Sequence, residues 1–519
     1  MAAQLAFGTV PPFYRELFDT ICGGQEKIDF ETFQTLLGKS GLARQNLSTI
    51  WELTDPQKNG YLTRDGLYKA FALIALSQQG KTVSEKSLEL LIDSDLPKPN
   101  LGDLAELKSL KIKLKRTKNP NVLGFSYPEL LELDRIEVEL EPDKKGLILK
   151  HREYTVSSRK HNTSVQRRYN DFVSFHELLM SRFLYRLIPK LPPKKIGASK
   201  EFIEARRRAL KRFMMLVVRH PVMSNDPIVT YFMTFKGSDV GHKIKEHFKG
   251  APDEFLTNSL ASQAKELVPA DTQVCLSSSR QQIQNIHVSV HKMKEMMDRL
   301  SLRSLGMGGD MYSFSKELVC LANDQHGATS WATGGNDTWD KLKKGFRSLS
   351  KPFGSLAEKG VVFGEKEEDQ VSDYLATFLD LTTGYKELLE RHEKGVLRDH
   401  QLALHRMQQY KQKRMSATVK GMEDAADQLE HRIVEQEDAI HTMENRNYFS
   451  LYCLQMETQL IHANMEMLAN MLRNLTDLQI KKHNELSLIW QEMKTTVDST
   501  LPAELSPSGT PIRAGSPPF

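Results

Sequence analysis

Four positions in the middle of the chain have the chemistry of an anion-binding site. Arg168 and Tyr169, in "RRYNDF" at 167–172, stand just before a stretch with apolar residues at helical spacing. Lys194 lies in a proline-rich loop, and Arg206 falls within the apolar stripe of a second predicted helix. A guanidinium buried against a core needs a carboxylate or a phosphate beside it, because its desolvation is costly. The alternative is an arginine that reaches solvent or pairs with a glutamate.

A small sheet and two helices are predicted to position these residues. Residues 136–140 alternate between apolar side chains and glutamates, which indicates a half-buried strand, and a turn at 144–146 leads to a second strand ending near Ser158. The following apolar residues share one helical face: Phe172, Phe175, Leu178, Leu179 and Phe183. Ser199 is the predicted N-cap of a helix that runs to about His220. If both helices pack on the sheet, the four residues border one cleft.

Composition limits the class of protein. With 519 residues the chain is too long for one core, so roughly three domains are expected. The formal charge of +5 is the small difference between large numbers of both signs, and it is too weak to imply nucleic acid. Widely spaced cysteines and no signal peptide before Phe13 favour the cytoplasm. The most apolar run, around Phe71, is much shorter than the ~20 residues that span a bilayer, so any membrane contact is expected to be peripheral.

The second half of the chain is predicted to consist of long helices. No proline occurs between Pro269 and Pro352 or between Pro352 and Pro502. A helix from about Glu423 to Val497 would extend roughly 110 Å, with apolar residues at coiled-coil-like spacing. They are Ile440, Met443, Leu454, Ile461, Met465, Leu468, Leu472 and Leu475.

Three motifs in the middle of the chain resemble the phox-homology (PX) domain. They are "RRYNDF" at 167–172, "LPPKK" at 191–195 and "FIEARRRALKRF" at 202–213. Their order along the chain is a stronger signal than any one of them. The resemblance implies an α+β domain that binds phosphatidylinositol 3-phosphate.

The same resemblance gives each residue a role. It implies that Arg168 binds the 3-phosphate, that Tyr169 stacks on the inositol ring, that Lys194 meets the 1-phosphate and that Arg206 bonds the ring hydroxyls. These roles fit the chemistry, because arginine offers bidentate geometry to phosphate and lysine a point charge. Arg167 is interpreted as a solvated neighbour on the opposite strand face.

Residues from about 253 onward resemble the BAR domain, with local runs "LLERHEKGVL" and "RIVEQEDAI". A PX domain followed by a BAR domain is typical of the sorting nexin family. The resemblance implies a protein without enzymatic activity or cofactor that forms a homodimer or heterodimer and binds anionic, curved membrane. It further implies a location on the cytoplasmic side of early endosomes and a role in endosome-to-Golgi transport and tubulation.

The first domain resembles the EH domain, a pair of EF-hands that binds Asn-Pro-Phe peptides around a tryptophan. The motif "KSGLARQNLSTIWELTDPQKNGYLT" at 39–63 places Trp51 at that position, although Trp51 is equally consistent with a core residue. Asp55 begins a calcium loop, but Gln57 and Gly66 occupy positions three and twelve, where calcium ligands are needed. Little or no calcium binding is expected.

The predicted fold class is multidomain and mainly α, with an EF-hand-like helical N-terminal domain, an α+β PX domain and an elongated helical BAR-type bundle. The predicted limits are 10–95 (EH-like), 96–130 (basic linker), 131–238 (PX), 250–498 (BAR-like) and 499–519 (disordered tail). Within the linker, lysines alternate with leucine and isoleucine like a short strand or a lipid-facing arm.

Three segments have two interpretations each. Residues 253–268 form either a membrane-binding amphipathic helix or a helix packed on the rest of the protein. The basic residues of 410–420 form either a lipid contact or a solvated hairpin end. The aromatic and basic residues of 337–353 favour a core helix over interfacial binding.

Two rival functions remain. The first is a protein-interaction scaffold that uses the EH-like and coiled regions, with incidental lipid binding. The second is an enzyme, which is disfavoured because the sequence has no Walker loop, no GxSxG and no histidine or cysteine cluster at metal-ligand spacing.

Overall fold

The computed structural model describes residues 10–22, 26–84, 86–87, 96–141, 152–195, 199–325, 337–420 and 422–501. The predicted turn at 144–146 and the Ser/Pro/Gly-rich segment from 502 onward lie outside these residues. The described residues form a helical N-terminal domain, a small α+β domain and a bundle of long helices, so the predicted fold class is confirmed.

The N-terminal domain consists of two helix pairs linked by a short sheet. Its elements are α1 (Pro12–Cys22), β1 (Lys27–Asp29), α2 (Phe30–Leu37), α3 (Arg44–Thr54), β2 (Tyr61–Thr63) and α4 (Arg64–Gln78). The strands β1 and β2 pair antiparallel with Ile28 opposite Leu62, as the two loops of an EF-hand pair do. Trp51 is only 9% exposed and lies edge-on to the rings of Phe30 and Phe33, both at 5.1 Å. Trp51 is therefore part of the core of this domain.

The interpretation of the basic linker as a strand or a lipid-facing arm is wrong. Residues Leu104–Lys118 form helix α5, which packs on the N-terminal domain through Leu107 and its neighbours. Lys111 is buried there, and its ammonium donates to the carbonyl of Thr20 at 3.2 Å. Alternating lysine and leucine also fits a helix with one apolar face, and contact with the first domain favours that conformation.

The α+β domain begins with α6 (Tyr127–Leu133) and a three-stranded antiparallel sheet of order β3–β4–β5. The strands are β3 (Ile136–Leu140), β4 (Glu153–Ser158) and β5 (Thr163–Arg168), and they are followed by α7 (Tyr169–Arg182), α8 (Lys200–Val218), α9 (Pro227–Thr234) and α10 (Val240–His247). The strand alternation is confirmed, since Ile136 and Val138 are buried and the intervening Glu137 is exposed. Ser199 caps α8 by accepting the N–H of Phe202, also as predicted.

Long helices form the rest of the chain. After two short helices, α11 (Glu254–Thr257) and α12 (Ala264–Leu267), the bundle contains α13 (Thr272–Ala322), α14 (Thr338–Glu367), α15 (Asp373–Arg391), α16 (Arg398–Val419), α17 (Glu423–Asn464) and α18 (Glu466–Thr500). Short π-helical segments join α14 to α15 and α15 to α16. The predicted helix from about Glu423 to Val497 is divided at Met465 into α17 and α18. No helix among the described residues is long and apolar enough to cross a bilayer.

The structure distinguishes between the two interpretations for two of the three ambiguous segments. Residues of α11 and α12 pack against Phe449 and Tyr452 of α17, so the segment is packed on the protein. It forms two short helices and not one, and Leu256 is 64% exposed. In 337–353, Phe346 and Phe353 belong to an apolar cluster, and Trp339 donates to Asp324 at 3.0 Å, which confirms the core interpretation.

A buried ionic cluster joins the α+β domain to the long helices. Arg186 donates to both carboxylate oxygens of Glu254, at 2.7 and 2.9 Å, and to Glu457 of α17 at 3.3 Å. The Nε2 atom of His220 also contacts Glu457, at 2.9 Å. Arg212 of α8 forms a second link, with Asp373 at 2.9 Å and Asp380 at 2.7 Å. These contacts fix the α+β domain on the bundle.

Candidate functional site

The candidate site lies where β5 ends and α7 begins. Arg168 is the last residue of the strand and Tyr169 the first of the helix, so the chain direction changes between them. Lys194 lies in the loop before α8, and Arg206 lies two turns into that helix. Strand, loop and helix thus each contribute to one region.

Tyr169, Lys194 and Arg206 are brought together. The guanidinium carbon of Arg206 lies 5.2 Å from the centre of the Tyr169 ring, which is a cation–π distance. The Tyr169 hydroxyl donates to the carbonyl of Pro192, and this bond fixes the loop that contains Lys194. Lys194 itself contacts the side chain of Asn170 at 3.0 Å. Partial burial raises the pKa of Tyr169, so its hydroxyl stays protonated at neutral pH.

Arg206 keeps most of its donors available. Its Nε donates to the hydroxyl of Tyr154 at 2.8 Å, and its plane lies near the rings of Tyr154 and Tyr169. Among the described residues, it has no carboxylate within ion-pair distance. Tyr154 thus orients the guanidinium without neutralising it. An arginine in this state is ready to bind an anion from outside the chain.

Arg168 is held differently from the other three residues. Its Nε contacts Asp171 at 3.2 Å, and its terminal nitrogen contacts Asp239, just before α10, at 2.9 Å. The side chain is 39% exposed and lines a cleft of about 690 Å³ together with Lys236 and Gly237. Tyr169, Lys194 and Arg206 are not among the residues that line this cleft, so the prediction that all four residues border one cleft is not confirmed. The structure instead pairs the Arg168 guanidinium with two carboxylates.

The interpretation of Arg167 as a solvated neighbour is wrong. Its side chain is 1% exposed, and its guanidinium donates to the carbonyls of Phe232 at 2.6 Å and Phe235 at 2.7 Å. Burial lowers its pKa to about 10. Strand alternation places Arg167 on the face opposite Arg168, but α9 covers that face. Arg167 thus anchors the end of α9 to the sheet.

Two residues that sequence reasoning missed belong to this region. Asp171 stands within the quoted motif, so its position next to Arg168 could have been inferred from one helical turn. Asp239 lies 71 residues from Arg168, and its sequence context gives no sign of the contact. Its backbone is left-handed, with φ of 51°.

The degenerate calcium loop is stabilised from within. The two carboxylate oxygens of Asp55 accept the N–H groups of Asn59 and Gly60, each at 2.9 Å. In the described part of the chain, no group of three or more His, Cys, Asp or Glu side chains is placed to hold a metal ion.

Known protein families match this chain in the same order of domains that the structure shows. Family models match residues 12–97 (EH domain), 155–236 (PX domain) and 251–504 (Sorting nexin 8/Mvp1 BAR domain). Human sorting nexin-8 is 48% identical over 378 residues, which cover 72% of this chain and 81% of that protein. The mouse sorting nexin-8 is 47% identical over 377 residues, covering 72% and 82%. The chain belongs to the sorting nexin family.

A solved structure is also similar to this sorting nexin. The cryo-EM structure of the SNX-BAR Mvp1 tetramer covers 69% of the chain and 99% of its own, at 20% identity and a TM-score of 0.47. PX domains bind phosphoinositides, and BAR domains bind membranes and dimerise, so membership of the family implies both properties for this chain. It is a peripheral membrane protein of the PX-BAR type.

Proposed function

We propose that this sorting nexin binds phosphatidylinositol 3-phosphate and curved endosomal membrane, and that it acts in endosome-to-Golgi transport and tubulation. The observation that supports the proposal most is the Arg206 guanidinium, which is oriented by Tyr154 and Tyr169 and has no carboxylate partner among the described residues. The protein acts without catalysis or cofactor, on the cytoplasmic side of early endosomes.

Each proposed contact uses a different property of its side chain. The Tyr169 ring stacks on the inositol, Arg206 donates to its hydroxyls and Lys194 meets the 1-phosphate. Arg168 binds the 3-phosphate after leaving Asp239, and its exposed position lets it do so. The guanidinium exchanges a carboxylate for a phosphate and stays paired, so breaking its exposed ion pair with Asp239 costs little free energy.

The bundle and the N-terminal domain supply the remaining contacts. We propose dimerisation through the long helices, either with a second copy or with a related chain. The helical hairpin of α16 and α17 carries Lys411 and Arg414, whose ion pairs with Glu437 and Glu430 are exposed and can exchange for anionic lipid. Asn-Pro-Phe peptides are proposed to bind the N-terminal domain near Trp51, where Phe30 is exposed.

The proposed domain limits are 10–95 for the EH domain, 131–238 for the PX domain and 250–498 for the BAR domain. Residues 96–130 connect the first two, and 499–519 form a tail.

Sedimentation with liposomes tests the lipid proposal. The full-length chain is mixed with liposomes that contain phosphatidylinositol 3-phosphate or lack it, and the wild type is compared with Arg168→Ala. The control is Lys245→Ala, which removes an exposed cation of α10 that is paired with Glu177 of α7. Pelleting that needs both the lipid and Arg168, but not Lys245, supports the proposal. Pelleting that is indifferent to the lipid and to Arg168 would favour the protein-interaction scaffold.

A further inference from the structure

A second cationic cavity, of about 550 Å³, lies between the PX sheet and the long helices. Arg135, Arg159 and Arg219 line it from the PX side, and Tyr374 and Met467 line it from the bundle. We propose that this junction pocket binds a compact polyanion with two or more phosphate groups, separately from the Tyr169 and Arg206 cleft. The proposal goes beyond the lipid-binding function above and does not depend on it.

The charge of the junction pocket is unbalanced. Seven arginine and lysine side chains line it, against three carboxylates. Some of these cations are already paired, as Arg212 is with Asp373 and Asp380 and Arg208 is with Glu368. The excess positive charge therefore lies with Arg135, Arg159 and Arg219.

Arg219 and Arg159 are those unbalanced arginines. In the described ranges, neither has a carboxylate within ion-pair distance, and Arg135 approaches Glu137 only at 4.0 Å. The Nε of Arg219 makes one long bond, 3.4 Å, to the backbone carbonyl of Asp134. A largely buried guanidinium without a carboxylate partner is costly unless an anion meets it.

Asp134, whose backbone carbonyl contacts Arg219, has a carboxylate that is used elsewhere. One of its oxygens accepts the hydroxyl of Ser158 at 2.6 Å, and the other accepts the backbone N–H of Lys160 at 2.9 Å. Burial lowers the pKa of Arg219, which is the direction expected for a cation whose compensation is incomplete. An external anion that binds in the cavity next to Arg219 would therefore compensate the charge of this guanidinium.

The shape of the pocket suits a small phosphorylated ring. Its volume is within the range of small-molecule sites, roughly 300–1,000 Å³. Tyr127, Tyr374 and Met467 offer apolar surface for the ring, and the arginines offer bidentate donors to its phosphates. This chemistry is shared by free inositol polyphosphates and by the headgroups of polyphosphorylated phosphoinositides.

The junction pocket and the first cleft are on opposite faces of α8. At 100° per residue, Arg208, Arg212 and Arg219 point away from the direction of Arg206. A ligand in the pocket also touches both the PX domain and the bundle. Because it binds only the docked arrangement, it stabilises the junction by mass action.

Calorimetric titration of the full-length chain with myo-inositol hexakisphosphate, at physiological ionic strength, tests the proposal. It is done in an Arg168→Ala background, which weakens the first cleft, and compares Arg159→Glu, Arg219→Gln and Arg44→Glu. Arg44 is an exposed arginine on α3 and serves as the matched charge-reversal control. The expected result is binding that Arg159→Glu and Arg219→Gln each weaken about tenfold or more, while Arg44→Glu changes it less than about twofold.

Absence of binding in the background protein would overturn the proposal. Equal weakening by Arg159→Glu and Arg44→Glu would also overturn it, because it would show attraction to the overall charge. Arg159 is exposed, so its variant tests the pocket even if Arg219→Gln fails to fold.

Liposomes distinguish the two sources of the ligand. In the same background, pelleting with liposomes that contain phosphatidylinositol 4,5-bisphosphate, lost in Arg159→Glu, assigns a lipid headgroup. Binding of the soluble polyphosphate without such pelleting assigns a free ligand. If the wild type binds the soluble polyphosphate but does not bind phosphatidylinositol 3-phosphate, the result contradicts the proposed function and leaves the junction-pocket proposal standing.

Discussion

Arg186 and Arg206 belong to the same PX domain and have opposite environments. Arg186 is 3% exposed and surrounded by carboxylates of its own chain, Glu254 and Glu457. Arg206 is half-buried, is oriented by two tyrosines and has no carboxylate partner among the described residues. The difference separates an arginine that holds domains together from one that is available for a ligand.

Each side-chain nitrogen and oxygen of Arg186, Glu254, Glu457 and His220 has at least one hydrogen-bond partner within the described part of the chain. Glu457 also contacts His220, whose Nδ1 accepts the backbone N–H of Val222 at 3.2 Å. This geometry assigns the neutral tautomer of His220, with its proton on Nε2. Burial acts to raise the pKa of Glu254, but Arg186 outweighs it and the pKa is lowered, so the carboxylate is charged at neutral pH.

The largest effect is expected from Arg186→Ala. Removing this guanidinium leaves Glu254 and Glu457 buried with one partner fewer, so the free energy of unfolding should fall by about 3–5 kcal/mol. Urea denaturation followed by circular dichroism measures it. A loss below about 1 kcal/mol would show that the cluster does not hold the junction, and the contrast with Arg206 would fail.

A smaller and pH-dependent loss is expected from Arg212→Ala. Burial raises the pKa values of Asp373 and Asp380, and Arg212 opposes that rise. Without Arg212 both pKa values should rise further. Because a carboxylate with a raised folded-state pKa is destabilising only while it is charged, the penalty should be present at neutral pH and shrink as the pH falls through that raised value. Both aspartates are partly exposed, so a loss of about 1–3 kcal/mol is expected at neutral pH.

Unfolding curves of this variant at pH 7.5 and pH 5 measure the dependence. A deficit relative to the wild type that is the same at both pH values would contradict the electrostatic origin of the effect.

Arg206→Ala should affect stability less than either variant at the junction. It removes one hydrogen bond and three ring contacts, with Tyr154, Tyr169 and Phe202, but leaves no buried carboxylate without its partner, so a loss of about 1 kcal/mol is expected. Urea denaturation alongside Arg186→Ala measures the difference. If Arg206→Ala were as destabilising as Arg186→Ala, the contrast between an arginine that holds domains together and one that is available for a ligand would be contradicted.

The smallest effect is expected from Asp239→Asn. Asparagine tolerates the left-handed backbone at this position, so the change removes the charge opposite Arg168 and little else. Since an exposed ion pair contributes at most about 1 kcal/mol, phosphatidylinositol 3-phosphate should bind up to about fivefold more tightly. Liposome titration checks it, and weaker binding than the wild type would show that Asp239 assists the site.

The local parts of this fold could be predicted from sequence. The alternation in β3 and the cap at Ser199 depend on neighbouring residues, and both are confirmed. The position of Arg206 within an apolar stripe indicates a charge that needs a partner. These signals require only the period of a strand or a helix.

The remaining features depend on residues distant in sequence. Strand alternation predicts the face on which Arg167 lies, but no neighbouring residue indicates that α9 covers that face. The lysines of α5 suit either a strand or a helix until the N-terminal domain covers one side. Asp239 reaches Arg168 across 71 positions, so the pairing of that arginine could be found only from the folded chain.

Calorimetric titration with a soluble, short-chain phosphatidylinositol 3-phosphate tests the central claim most directly. Wild type, Arg206→Ala and Lys245→Ala are compared as full-length proteins, with folding checked by circular dichroism. The account predicts that Arg206→Ala weakens binding roughly 10- to 100-fold, since hydrogen bonds from a charged group are lost, while Lys245→Ala binds like the wild type. Equal affinity of Arg206→Ala and wild type would contradict the claim that the open donors of Arg206 are there for the lipid.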